Sequence, residues 1–237
     1  RKVLAIAMVA SAFTHNVGAL FGGAGFRYRL YSHEGFGLGT ISRIVAFAIG
    51  TNWIGYLLLG GALFASGRVR APPDWPVTGE RLPWLGAAML AAVVVYLIAC
   101  RLTHGRVLHL RGHHFRLPSV PLALLQLALA ATNWALMATL LFVLMPTGVT
   151  YSAVLGALLV AAVASAIAHI PAGIGVLEAV FIALLGHQVP QAQMLAALLA
   201  YRACYYLGPL MVAIAGYALL ETRRRGRPLR ADQSGSS

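Results

Sequence analysis

The sequence predicts an all-α integral membrane protein. The expected architecture is a polytopic helical bundle of about 5–7 transmembrane helices, with a broken or re-entrant helical hairpin around residues 152–185. Three observations predict it. The 237 residues are 59% hydrophobic and 10% charged, with a mean hydropathy of +0.78. Several apolar runs reach the ~20 residues a spanning helix needs, and they do not alternate as the ~10-residue strands of a membrane barrel would. One apolar region is interrupted by His169-Ile170-Pro171-Ala172-Gly173-Ile174-Gly175-Val176-Leu177-Glu178.

The elements follow in order along the chain. The first span is expected over Val3–Phe21, which carries His15 and Asn16. A Gly-rich basic connection runs from Gly22 to Arg43, and the second span from Ile44 to Ala65. Pro72, Pro73, Pro76 and Pro83 mark a polar connection before the third span, Trp84–Cys100. Arg101–Arg116 reads as a basic loop with His104, His109, His113 and His114. The fourth span is Leu122–Met145, with Asn133 and Trp134 inside, and Pro146-Thr147-Gly148 is a turn. The run Ser152–Ala168 enters the broken motif, and a shorter helix, Gly175–Leu185, leaves it. Gly186–Pro190 is a turn, and the last span is Met194–Leu220. Residues 1–222 thus form one transmembrane domain, and 223–237 a basic, disordered cytoplasmic tail. The start at Arg1-Lys2, leading straight into an apolar run, reads as a fragment lacking N-terminal spans.

Charge orients the spans. The formal net charge is +12, and the arginines lie in short connections beside apolar runs. Anionic lipid and the positive-inside rule account for that placement, and nucleic acid is not an expected partner. Three arginines fall in Gly22–Arg43, four in Arg101–Arg116 and five in the tail, against Arg68, Arg70, Arg81, Arg1 and Lys2 on the other side. The richer side is cytoplasmic. Ser152–Leu185 must then enter and return, with a second arm short for a full span.

Three constellations carry candidate chemistry. Gly22-Gly23-Ala24-Gly25-Phe26-Arg27-Tyr28-Arg29-Leu30-Tyr31 combines glycines with two arginines flanking an aromatic. Arg27 and Arg29 offer bidentate phosphate contacts and Tyr28 an anchor at headgroup depth; an ordinary positive-inside anchor accounts for the same residues. The second is the broken motif. Pro171 removes a backbone donor, and Gly173 and Gly175 permit unusual backbone. Glu178 is the only acidic residue between Glu80 and Glu221. Irregular backbone and ionisable side chains at membrane depth mark cavities and functional sites; a tight turn between two helices is the plainer reading. The third is Tyr201-Arg202-Ala203-Cys204-Tyr205-Tyr206 in the last span. Arg202 is expected either to pair with Glu178 or to snorkel toward a helix end.

Other residues carry less. His109 and His113 have the i, i+4 spacing of a helical metal site but no acidic or thiol companion, so no metal is expected. Asn16, Asn52 and Asn133 suit interhelical hydrogen bonds. Cys100 and Cys204 match no disulfide or metal spacing. No Walker A, Gly-x-Ser-x-Gly or paired-carboxylate element is present, so neither a cofactor nor enzymatic chemistry is expected.

Three stretches carry a family resemblance. They are Arg27-Tyr28-Arg29-Leu30-Tyr31-Ser32, Thr51-Asn52-Trp53-Ile54-Gly55-Tyr56, and His169–Leu185 followed by Ala197-Leu198-Leu199-Ala200-Tyr201-Arg202. On these residues the chain resembles the YbhN-like bacterial inner-membrane proteins, and more distantly the membrane flippase domain of lysylphosphatidylglycerol synthases. The resemblance implies a phospholipid flippase or transporter in the bacterial inner membrane. It carries over Arg27, Tyr28, Arg29, Pro171, Gly173, Gly175, Glu178 and Arg202 as headgroup or pathway residues. The soluble aminoacyltransferase domain of the synthases has no counterpart here, so lysyl-lipid synthesis is not implied. Membrane phospholipids and a lipid-synthesis enzyme are the expected partners. The alternatives are a secondary transporter of a small solute and a non-catalytic membrane partner of such an enzyme.

Overall fold

The computed structural model describes residues 37–68, 81–103, 117–170, 173–208 and 211, together with the backbone of 107–110 and 113–116. The expected first span, the connection with Arg27, Tyr28 and Arg29, Pro171 and the tail lie outside the described residues. The chain divides into two compact units, Gly37–Tyr201 and one combining residues 1–36 with 202–237.

The first of these units is built from helices. They are α1 (Leu38–Ala65), α2 (Leu82–Thr103), α3 (Val120–Leu144), α4 (Tyr151–Ala168), α5 (Val176–Leu185) and α6 (Gln191–Arg202), of which only the last residue, Arg202, falls in the other unit. Local chemistry fixes their ends. Pro121 in the first turn of α3 lacks only an N–H that a helix start leaves unpaired anyway. The Thr150 hydroxyl accepts the Ala153 N–H and starts α4. Met145, just before Pro146, is in extended backbone and ends α3.

Helices α1 to α4 are each long and apolar enough to cross a membrane. Even α4, with 18 residues, is about 27 Å long, close to the thickness of the hydrocarbon core. Their outer surfaces match that solvent. Trp84 is 78% exposed, Val95 64% and Leu136 62%. Large apolar side chains spread this widely over a surface suit lipid rather than water.

The helices pack through small residues. A Cβ on Gly86 of α2 would overlap the Ala65 backbone nitrogen of α1, and one on Gly55 of α1 would overlap Ala130 of α3. Such positions let backbones approach closely, the contact available to helices that gain no hydrophobic drive in lipid. Helix α4 touches α1, α3 and α5 and is the most buried of the four span-length helices. Val154 and Leu159 on it are fully buried.

A buried polar bridge joins three helices. Gln126 of α3 is 6% exposed. The Tyr96 hydroxyl of α2 donates to its Oε1 at 3.0 Å. Its Nε2 donates to Thr51 Oγ1 of α1 at 2.6 Å, and the Thr51 hydroxyl donates to the Phe47 carbonyl at 2.8 Å. Gln126→Leu is expected to lower unfolding stability by about 1 kcal/mol, the scale of intramembrane hydrogen bonds. Thermal unfolding of the detergent-solubilised protein measures it, and an unchanged midpoint would show that the bridge contributes nothing.

Two expectations are corrected. The second span does not start at Ile44: its helix begins at Leu38, so Arg43 is helical. Arg101–Arg116 is not simply a loop. Residues 101–103 complete α2, and β1 (Val107–Leu110) pairs antiparallel with β2 (His113–Arg116). His109 lies opposite His114, and His113 opposite Leu110. His109 and His113 are therefore on strands, and the helical i, i+4 geometry does not apply to them.

Candidate functional site at the break between α4 and α5

Helix α4 ends at an unusual residue. His169 closes it in the left-handed conformation, φ 53°, and its Nδ1 lies 2.8 Å from the Ile167 carbonyl. Only glycine adopts this region without steric cost. The chain then doubles back. Gly173 is buried at φ 57°, and a Cβ on it would meet Ser165 Oγ of α4 at 2.5 Å. Gly175, at φ 83°, is the N-cap of α5. The glycines predicted as breakpoints are thus both required by backbone geometry.

Helix α5 has ten residues and is about 15 Å long, half of a span. It packs along α4. Its far end returns to the start of α4: a Cβ on Gly148, in the turn before α4, would lie 3.9 Å from the Gln188 carbonyl oxygen. Gly173 beside Ser165 and Gln188 beside Gly148 fix α5 antiparallel to α4. Glu178, in the first turn of α5, therefore lies alongside the body of α4 rather than beyond its end.

Glu178 has a structural task that the sequence reading did not assign. Its Oε2 accepts the Gly175 N–H at 2.9 Å, the reciprocal half of a capping box. The carboxylate sits at the positive end of the α5 dipole, which offsets part of the cost of a charge at this depth. The carboxylate of half-buried Glu178 also occupies the place an anion would take at a bare helix start. This end of α5 suits a cation, a proton or the cationic group of a lipid, so a headgroup phosphate passing the break would be held by other residues.

The remaining predicted residues are placed as follows. Gly173, Gly175 and Glu178 come together at the break. Arg202 is the last residue of α6, half-buried, and is followed by a π-helical turn, Ala203–Leu207. Glu178 and Arg202 fall in different units. Cys100 is buried and Cys204 exposed, both as free thiols. Asn52 and Asn133 depart from expectation: among the described residues neither carboxamide bridges two helices. Asn133 Nδ2 meets only Met137 Sδ, at 3.7 Å on its own helix. At Asn52 it is the backbone carbonyl that accepts from the Trp134 indole, at 3.2 Å. Gln126, whose carboxamide does join helices, was not singled out, because a lone Gln in an apolar run gives no local pattern.

Relatives give the kinship. Over 226 residues the chain is 43% identical to the inner membrane protein YbhN of Escherichia coli (strain K12), covering 95% of this chain and 71% of that protein. The chain belongs to the YbhN family. A second relative is the uncharacterized protein slr0712 of Synechocystis sp., 31% identical over 241 residues, 98% of this chain and 74% of that one. No protein-family model matches. The four span-length helices and the YbhN kinship together make the chain a multi-pass inner-membrane protein.

Proposed function

We propose that this YbhN-family protein moves an anionic phospholipid between the leaflets of the inner membrane, with the α4–α5 break lining the path. The observation that carries the reading is Glu178, a carboxylate beside irregular backbone and alongside a span-length helix. Lipid-exposed backbone of that kind is not tolerated in hydrocarbon, so such breaks line cavities, and an intramembrane carboxylate is a functional-site candidate by default. The motif resemblance to the flippase domain of lysylphosphatidylglycerol synthases supports the same class of activity. In this reading Arg27, Tyr28 and Arg29 engage the headgroup phosphate at the cytoplasmic leaflet. Pro171, Gly173 and Gly175 shape the path, Arg202 is a further headgroup or pathway residue, and the basic tail is cytoplasmic.

The test is lipid movement in proteoliposomes holding the chain, with fluorescent phosphatidylglycerol and phosphatidylethanolamine scored by outer-leaflet quenching. The expected result is protein-dependent loss of the quencher-protected fraction. A folded protein that leaves the protected half intact for both lipids would overturn the reading. Co-purification with a lipid-synthesis enzyme would then favour a partner role.

A further inference from the structure

Helices α1 and α3 run parallel at their crossing, since Thr51 meets Gln126 and, one turn on, Gly55 meets Ala130. Beside this seam Trp53, Tyr56 and Trp134 form an aromatic cluster with edge contacts at 5.4 and 5.8 Å. Asn52, whose backbone carbonyl accepts the Trp134 indole N–H, and Asn133, next to Trp134 in sequence, are both exposed, about midway along their helices. A carboxamide that faces hydrocarbon at this depth, served at best by a weak thioether acceptor as at Asn133, costs free energy unless a polar partner arrives.

Resting on the lipid-translocation reading above, we infer that the α1–α3 seam is a lateral site where Asn52 and Asn133 hold a phospholipid headgroup in transit while its acyl chains stay in the bilayer. Carboxamide N–H groups are donors and a phosphodiester offers only acceptors, so the two are complementary. The carboxylate at the start of α5 disfavours a phosphate there, and neither α1 nor α3 carries an acidic residue. A further protein helix fits less well. Helix contacts within this unit rest on glycine and alanine, as at Gly55 and Gly86. The exposed neighbours one turn from the asparagines are the bulky Ile49, Leu129 and Leu136.

The test places the chain in vesicles containing phosphatidylethanolamine with a diazirine on its headgroup, and maps labelled residues by mass spectrometry. In a plain bilayer that group stays at the interface. The expected result is labelling of the peptides around Asn52 and Asn133 but not around Val95 on the outer surface of α2. In the Asn52→Leu, Asn133→Leu double variant labelling should fall about tenfold, the loss of a hydrogen bond to a charged group. The Asn52→Gln, Asn133→Gln variant should retain it. Both pairs face outward, so the fold is expected to persist, and unfolding midpoints check it. Seam labelling no higher than at Val95 overturns the inference, as does a dimer that the double Leu variant turns into monomer. Lipid movement with an unlabelled seam would sink this site alone; a labelled seam with no movement would keep the site and sink translocation.

Discussion

Gly86→Val is expected to remove most of the folded protein. The valine Cβ would overlap the Ala65 backbone nitrogen and lie 2.8 Å from the Gly61 carbonyl oxygen and 2.9 Å from Ala65 Cα. All three are backbone atoms, so no rotamer change relieves the contact and α1 and α2 must separate. Overpacking usually costs ~1–3 kcal/mol, and a clash that spreads a helix pair belongs at or above the upper end. Gly60→Ala is the control. Its Cβ would meet Met89 Cε at 2.7 Å, the far end of a flexible side chain, and the cost should stay below about 1 kcal/mol. Monodisperse yield and unfolding midpoint in detergent measure both. If Gly86→Val matched the wild type, the close α1–α2 crossing would be wrong.

Glu178→Gln is expected to keep the fold and lose activity. The glutamine Oε1 can still accept the Gly175 N–H, so α5 keeps its start while the charge is gone. Lipid movement should fall by about tenfold or more, the effect of 1.4 kcal/mol or greater on a rate-limiting step. Glu178→Ala removes charge and cap together, and should also lower stability by about 0.5–2 kcal/mol. Initial rates in proteoliposomes and unfolding midpoints separate the two roles. A Gln variant that moves lipid at the full rate would make the carboxylate a helix cap and nothing more.

The four described spans were legible because hydropathy records where hydrocarbon lies. For the same reason the start of α1 was not. Leu38–Arg43 contains Gly39, Thr40, Ser42 and Arg43, whose polarity hides six helical residues from an apolar-run criterion. The β1–β2 pair was hidden by length: four-residue strands give too short a pattern beside so many basic side chains. The break was readable from Pro171, Gly173 and Gly175. The capping role of Glu178 was also within reach, since Gly175-Val-Leu-Glu178 has the spacing of a capping box. The Tyr96–Gln126–Thr51 bridge was not, because it joins residues 30 and 75 positions apart, and only the packing of three helices brings them together.

The meeting of Gln188 with Gly148, at the opposite end from Gly173 and Ser165, turns α5 into a measured strut. Its length is set by the stretch of α4 it must match, about 21 Å from Tyr151 to Ser165 at the helical rise. A residue inserted between Gly175 and Glu178 would add about 1.5 Å and rotate everything beyond it by about 100°. Glu178 would then face another side of the helix, while both anchored ends resisted the added length. Families built on this hairpin should accordingly vary the chemistry of its residues far more freely than their number.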